Sequence, residues 1–168
     1  MSSLAHAQKW CDALSNDPDA LVAMYRRDDH PLAEGFTSEH SMVDDNVLDT
    51  FTTGEQLREA YGGYSTGENG KYTFTATEWL GGRTDQGLIH WKVTIEGAES
   101  FRGLPVPDGT TLETIGSTFQ TLDEDGKIRF ESTYWEDNRV FKQLGIAILT
   151  PHYWEEDFDM EAFLASLG

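Results

Sequence analysis

The chain has 168 residues, 30 of them acidic against 12 basic, which gives a formal net charge of −18. A surface this negative repels nucleic-acid phosphates and anionic membranes, so neither is an expected partner. Hydrophobic residues make up 38% and aromatic residues 12%, which is too apolar and too patterned for a disordered chain and enough to bury a core.

The first segment, Ser3 to Ser15, repeats Leu4, Ala7, Trp10, Cys11 and Leu14 at helical spacing. Its opening lacks a charged region followed by an apolar core, so no secretory signal is expected. A second helix restarts at "NDPDALVAMYRRDD", with Asp17 as cap, Pro18 in the first turn, and Leu21, Met24 and Tyr25 on the inner face. "HPLAEGFTSEHSMVDDNVL" reads as a loop and a short strand ending near Asp44 and Asp45. Thr53 then caps a third helix, Gln56 completes a capping box, and Leu57, Ala60 and Tyr61 share one face.

From residue 71 the period changes to two. "KYTFTATEWL", "GLIHWKVTIEG", "TLETIGSTFQTL" and "GKIRFESTYWED" read as strands separated by the turn sequences "GGRTDQG", "GLPVPDGT" and "DEDG". A short helix is expected over Arg139–Leu144, and an amphipathic helix carrying Phe158, Phe163, Leu164 and Leu167 at the end. Helices followed by an antiparallel meander make an α+β domain, expected as one unit over 1–168 with a core at 4–145 and an extension at 146–168. A curved sheet wrapped on helices leaves a conical pocket suited to a small apolar molecule.

Cys11 is the single cysteine, which precludes an internal disulfide and suits a reducing, cytoplasmic setting. His6, His30, His40 and His152 have no metal-ligand spacing. "GGYSTGENG" lacks a phosphate-loop or dinucleotide pattern, and no nucleophile elbow occurs, so no metal or cofactor is expected.

The order of elements resembles the NTF2-like superfamily, and in particular its SnoaL-like, polyketide cyclase-like branch. The block from Phe101 to Gly145 carries the likeness through Phe101, Gly103-Leu104-Pro105, the glycine turn before Lys127, Tyr134-Trp135 and Gln143-Leu144-Gly145. Val43, Asp44, Asp45, Gly54, Arg58 and Tyr61 are similar to the corresponding pattern of ketosteroid isomerase. The resemblance implies Asp45 as the proton-abstracting carboxylate, with Trp10 and Ser117 where that enzyme keeps its oxyanion donors. It implies no steroid isomerisation, because neither residue is the acidic donor used there. The superfamily's epoxide hydrolases use an Asp-Arg-Asp set, whereas here Thr133 stands at the last-strand acid position and no Arg-x-Asp lies on the neighbouring strand.

Glu131 shares a face with Arg129, Thr133 and Trp135 by alternation, and the resemblance turns that face to the pocket. There an inward carboxylate must be used or hydrogen-bonded. His90 titrates near neutrality, but the apolar set Ile89, Trp91, Val93 and Ile95 alternates against it and takes the inside. Tyr25, Tyr61, Trp91, Val93, Phe119, Thr133 and Trp135 are the expected pocket walls. Two functions follow as expectations. One is a cofactor-independent isomerase, lyase or aldol cyclase working on a small apolar oxygenated molecule, with Asp45 and Glu131 as acid/base pair. The other is a binding or dimerisation module of the same fold. A homodimer is expected under both.

Overall fold

The computed structural model describes residues 3–26, 37–40, 48–50, 53–83 and 85–146, together with 159, 161, 162 and 165. Helix α1 spans Ser3–Asn16 and α2 Pro18–Val22, where Asp17 accepts from the backbone N–H of Asp19 and Ala20 as the residue pattern requires. Ala7, Trp10, Cys11 and Leu14 are buried along one stripe of α1; Leu4, one turn earlier, is exposed. Leu21, Met24 and Tyr25 are buried as expected, although the helix itself stops at Val22.

Helix α3 spans Gly54–Thr66 and begins with the capping box read from the sequence: Gln56 N–H donates to Thr53 Oγ1, and Gln56 Oε1 accepts from Thr53 N–H. It ends at Gly67 with φ 73°, a left-handed cap that a residue with a Cβ adopts only under strain. Replacing Thr53 by alanine removes one arm of the box and is expected to lower stability by about 1 kcal/mol, measurable as a shifted urea midpoint at constant slope.

The strands are β1 (Thr37–His40), β2 (Leu48–Thr50), β3 (Lys71–Arg83), β4 (Gln86–Glu96), β5 (Ser100–Phe101), β6 (Leu104–Pro105), β7 (Thr111–Leu122) and β8 (Ile128–Trp135), followed by α4 (Asp137–Gln143). Six of them form one sheet in the order β2-β1-β8-β7-β4-β3, antiparallel throughout except where β1 runs parallel to β8. The segment after α2 thus carries two short strands where the sequence pattern indicates one. Asp44 and Asp45, and the side chains of the expected C-terminal helix face, lie outside the described residues.

One face of the sheet is covered by α1 and α3, with α2 packed on both helices, and the core lies between. Along β4 the buried residues are Ile89, Trp91, Val93 and Ile95, as the alternation indicates. Phe74, Trp91 and Trp135 meet edge-to-face at 5.0 to 5.5 Å between ring centroids, the geometry aromatic quadrupoles favour. Strand β3 is an edge, and one of its N–H groups is satisfied from outside the sheet: Phe74 N–H donates to Ser15 Oγ at 2.8 Å.

Helix α4 starts two residues earlier than expected. Asp137, buried at its first position, pairs with Arg102 at 3.1 Å, and Arg102 (φ 50°) with Gly103 (φ 77°) makes the tight turn of the β5–β6 hairpin. No helix among the described residues is long and apolar enough to cross a membrane.

Candidate active site

On β8 the helix-covered face carries Glu131, Thr133 and Trp135, and the strand register places Gln120, Thr118 and Gly116 of β7 directly opposite them. Arg129 does not share this face. Between Thr121↔Phe130 and Leu122↔Ile128 the ladder takes two residues on β8 for one on β7, so Arg129 is the extra residue of a bulge and projects into solvent. The carboxylate of Glu131 is fully buried.

Three hydrogen bonds hold it. Tyr25 Oη and Gln120 Nε2 each donate to Oε2 at 2.7 Å, and Thr133 Oγ1 donates to Oε1 at 3.1 Å. Each donor is itself fixed by a group behind it. Trp10 Nε1 donates to Tyr25 Oη at 3.2 Å. Trp91 Nε1 donates to Thr118 Oγ1 at 2.8 Å, and the Thr118 and Thr133 hydroxyls are 3.0 Å apart. His6 Nε2 lies 2.8 Å from Gln120 Oε1. An indole N–H can only donate, so Thr118 must pass its own hydrogen to Thr133, which turns its hydrogen to Glu131. Three donor chains therefore converge on one carboxylate.

Burial acts against its charge and these donors act for it. Desolvation is the larger effect and pushes the Glu131 carboxyl up to about 7, with Tyr25, Gln120, Thr133 and Trp10 pulling it back. The Tyr25 hydroxyl is raised well above its usual range by its own burial and then by the adjacent carboxylate, so it stays protonated and remains a donor. The two oxygens are not equivalent. Oε2 is occupied by two short bonds, whereas Oε1 has one longer contact. Oε1 is thus the oxygen with room for a proton.

The remaining sequence candidates divide between the two faces of the sheet. Trp10, Tyr25, Tyr61, Trp91, Val93, Thr133 and Trp135 are all buried on the helix side. The N–H groups of Trp10 and Trp91 are engaged by Tyr25 and Thr118. Ser117 and Phe119, expected on the pocket face, stand on the opposite one, because Gly116, Thr118 and Gln120 take the inward positions of β7. His90 is opposite Ser117 in the register, and its Nδ1 lies 2.8 Å from Ser117 Oγ, on the face away from Glu131. Phe119 there meets Phe130 edge-to-face at 6.1 Å. Arg58 pairs with Asp19 at the exposed end of the helices.

Three residues of the network were not among the site residues expected from the sequence: His6, Thr118 and Gln120. His6 is four residues before Trp10 on α1, so both occupy one helix face, and that spacing was the available signal. Thr118 and Gln120 alternate in phase on β7. Cys11, buried nearby, has its thiol pushed up to about 12 by desolvation and then by Asp12 and Glu131, which leaves it unreactive. Among the described residues, no group of three or more His, Cys, Asp and Glu side chains is arranged to hold a metal ion.

Helices on one face of a mostly antiparallel open sheet, with the buried Glu131 carboxylate facing them, define an α+β cone of the NTF2-like type. Solved structures that align with it include NTF2-like proteins and SnoaL-like polyketide cyclases, in agreement with the resemblance carried by the Phe101–Gly145 block. AclR of Streptomyces galilaeus, assigned as a hydroxylase, aligns with a TM-score of 0.60 over 98% of this chain and 95% of its own, at 15% identity. The epoxide hydrolase/cyclase-like enzyme SalBIII, of pyran ring formation in the polyether salinomycin, aligns at 0.55 over 80% and 89%, with 18% identity. RV0760c of Mycobacterium tuberculosis, solved with estradiol-17β-hemisuccinate, aligns at 0.55 over 83% and 98%, with 17% identity. No protein-family model matches the sequence, and no curated protein does.

Proposed function

We propose that the chain is a cofactor-independent acid/base enzyme, an isomerase, lyase or aldol cyclase, acting on a small, largely apolar, oxygenated molecule. The observation that carries this reading is a fully buried carboxyl, Glu131, held by three hydrogen bonds and pushed up to about 7 by its burial. A base of that strength can take a proton from carbon beside a carbonyl and return it without bulk water. In the proposed step Glu131 Oε1 accepts the proton, the C–H electron pair moves into an enolate, and the same oxygen delivers the proton to the product carbon or leaving oxygen. Trp91, Trp135 and Tyr61 supply apolar walls. Asp45 is proposed as a second carboxylate. SalBIII and RV0760c support a cone that takes in oxygenated ring compounds, the one by its ring-forming chemistry and the other by its bound steroid ester.

The test is exchange of carbon-bound hydrogen for deuterium in a panel of cyclic and aryl ketones, followed by proton NMR. Exchange that depends on Glu131 supports the reading. A panel that binds, shifting protein resonances, with no exchange above buffer overturns it.

A second reading has its own observation. All three donors to Glu131 come from residues that are themselves fixed, as in a structural core network. On that reading the fold is a binding module and Glu131 an anchor.

Under both readings we propose a homodimer through the outer sheet face. A chain of net charge −18 exposes there Ile115 and Tyr134, 44% and 46% accessible, beside Phe119, Phe130 and Ser132. Light scattering is expected to give twice the 18.9 kDa of one chain, and the double substitution Ile115→Asp with Tyr134→Asp one chain mass. A monomeric wild type would contradict this.

A further inference from the structure

Glu131 is addressed from one side by a residue that touches neither its carboxylate nor any proposed substrate position. His6 lies on α1, half-buried, its ring edge-to-face with Trp79 of β3 at 5.7 Å and its Nε2 2.8 Å from Gln120 Oε1. Gln120 is fully buried on β7 and donates from Nε2 to Glu131 Oε2 at 2.7 Å. A primary amide has one accepting and one donating end. If the donating end faces the carboxylate, the carbonyl end faces His6, and the imidazole must carry its hydrogen on Nε2.

We propose that His6 is a positioning residue: by donating from Nε2 to Gln120 Oε1 it locks the amide with its N–H toward Glu131 Oε2, and so directs proton exchange to Oε1. The alternative amide orientation would present Gln120 Oε1 to the carboxyl, where it would accept from a protonated Oε2. That orientation favours the neutral acid and moves its proton to the wrong oxygen. The lock is a dipole effect and not a charge effect. Burial, the largest influence, and Lys9 on the same helix hold the His6 imidazole below its usual range, against the bond from Gln120, so it is neutral where Glu131 titrates. Trp79 from β3 and Gln120 from β7 face it and carry no charge. On the Glu131 side the facing groups are Trp10 and Cys11 from α1, Tyr25 beyond α2, and Gln120 and Thr133 from the sheet.

This inference rests on Glu131 being the proton-transfer group, yet its wiring is read without turnover. Carboxyl-carbon NMR of glutamate-labelled protein, assigned with Glu131→Gln, would follow Glu131 in His6→Phe and His6→Gln. His6→Phe keeps the ring but removes the donor, and is expected to raise the proton affinity of Glu131 about tenfold, moving its titration up by about one pH unit. His6→Gln restores an N–H and is expected to return the titration most of the way. A His6→Phe protein that is merely less stable, with the Glu131 titration unmoved or lowered, overturns the proposal. If that variant does not fold, nitrogen-15 shifts of the wild-type imidazole decide: the Nε2–H tautomer is expected at pH 7, and the Nδ1–H tautomer overturns it. Failure of the catalytic reading would show elsewhere, as deuterium exchange that survives Glu131→Gln.

Discussion

Replacing Glu131 by glutamine is expected to abolish ketone deuterium exchange by about 10²–10⁴-fold while leaving the protein folded and, above neutral pH, more stable. The amide is nearly isosteric. Its oxygen can accept from Tyr25 and Gln120 as Oε2 does, and its NH₂ can donate to Thr133 once that hydroxyl rotates. The pH dependence has a definite sign. The Glu131 carboxyl titrates at about 7 in the fold against a reference of 4.5, so the native chain binds the extra proton between those values. Its contribution to stability is therefore fully present below pH 4.5 and is lost as pH rises through 7. The difference amounts to about 3 kcal/mol, or roughly 6–12 °C in Tm for a chain of this size. Glu131→Gln should remove that slope, so its Tm relative to wild type should climb between pH 4.5 and 8. A variant that keeps exchange activity would mean that another group carries the proton and that Glu131 is a structural anchor. Stability gained together with activity lost is the pattern expected of a strained catalytic group.

The largest structural effect is expected at Gly116. This residue stands opposite both Trp91 and Trp135 in the register, and a Cβ there would run into the Trp91 indole and the carbonyl oxygen of Tyr134. Gly116→Ala would therefore push Trp91 off its place. That movement breaks the donor bond to Thr118 and disturbs the edge-to-face contacts with Phe74 and Trp135. Overpacking and the lost bond together should cost about 3 kcal/mol, or roughly 6–12 °C in Tm. Tryptophan fluorescence should shift to the red as Trp91 meets water. An unchanged Tm and spectrum would mean that the indole does not lie across Gly116.

Much of the fold was legible because hydrophobic period and turn chemistry agreed. The capping box at Thr53, the Asp17 cap and the apolar stripe of β4 are local signals, and the chain obeys them. The site was legible only in part. On β8, Glu131 alternates in phase with Trp135, and the resemblance turns that shared face inward. On β7 the pattern is inverted. The helix-covered face carries Thr114, Gly116, Thr118 and Gln120, while Ile115 and Phe119 face outward. Ordinary polarity rules therefore turn Ser117 and Phe119 to the wrong side. The physical reason is the buried network, whose members must be polar to satisfy one another. The bulge that ejects Arg129 leaves no mark in a period-two reading either. Asp45, the carboxylate favoured by the resemblance, lies outside the described residues, and the weight of the proposal moves to Glu131.

The most direct measurement is the titration of Glu131 by carboxyl-carbon NMR, with Glu131→Gln to assign the signal. Burial of the carboxyl, outweighing its hydrogen-bond donors, predicts a midpoint near 7, well above the reference of 4.5. A midpoint at or below that reference would show a solvated or charge-paired carboxylate, and would contradict both the buried site and the acid/base function built on it.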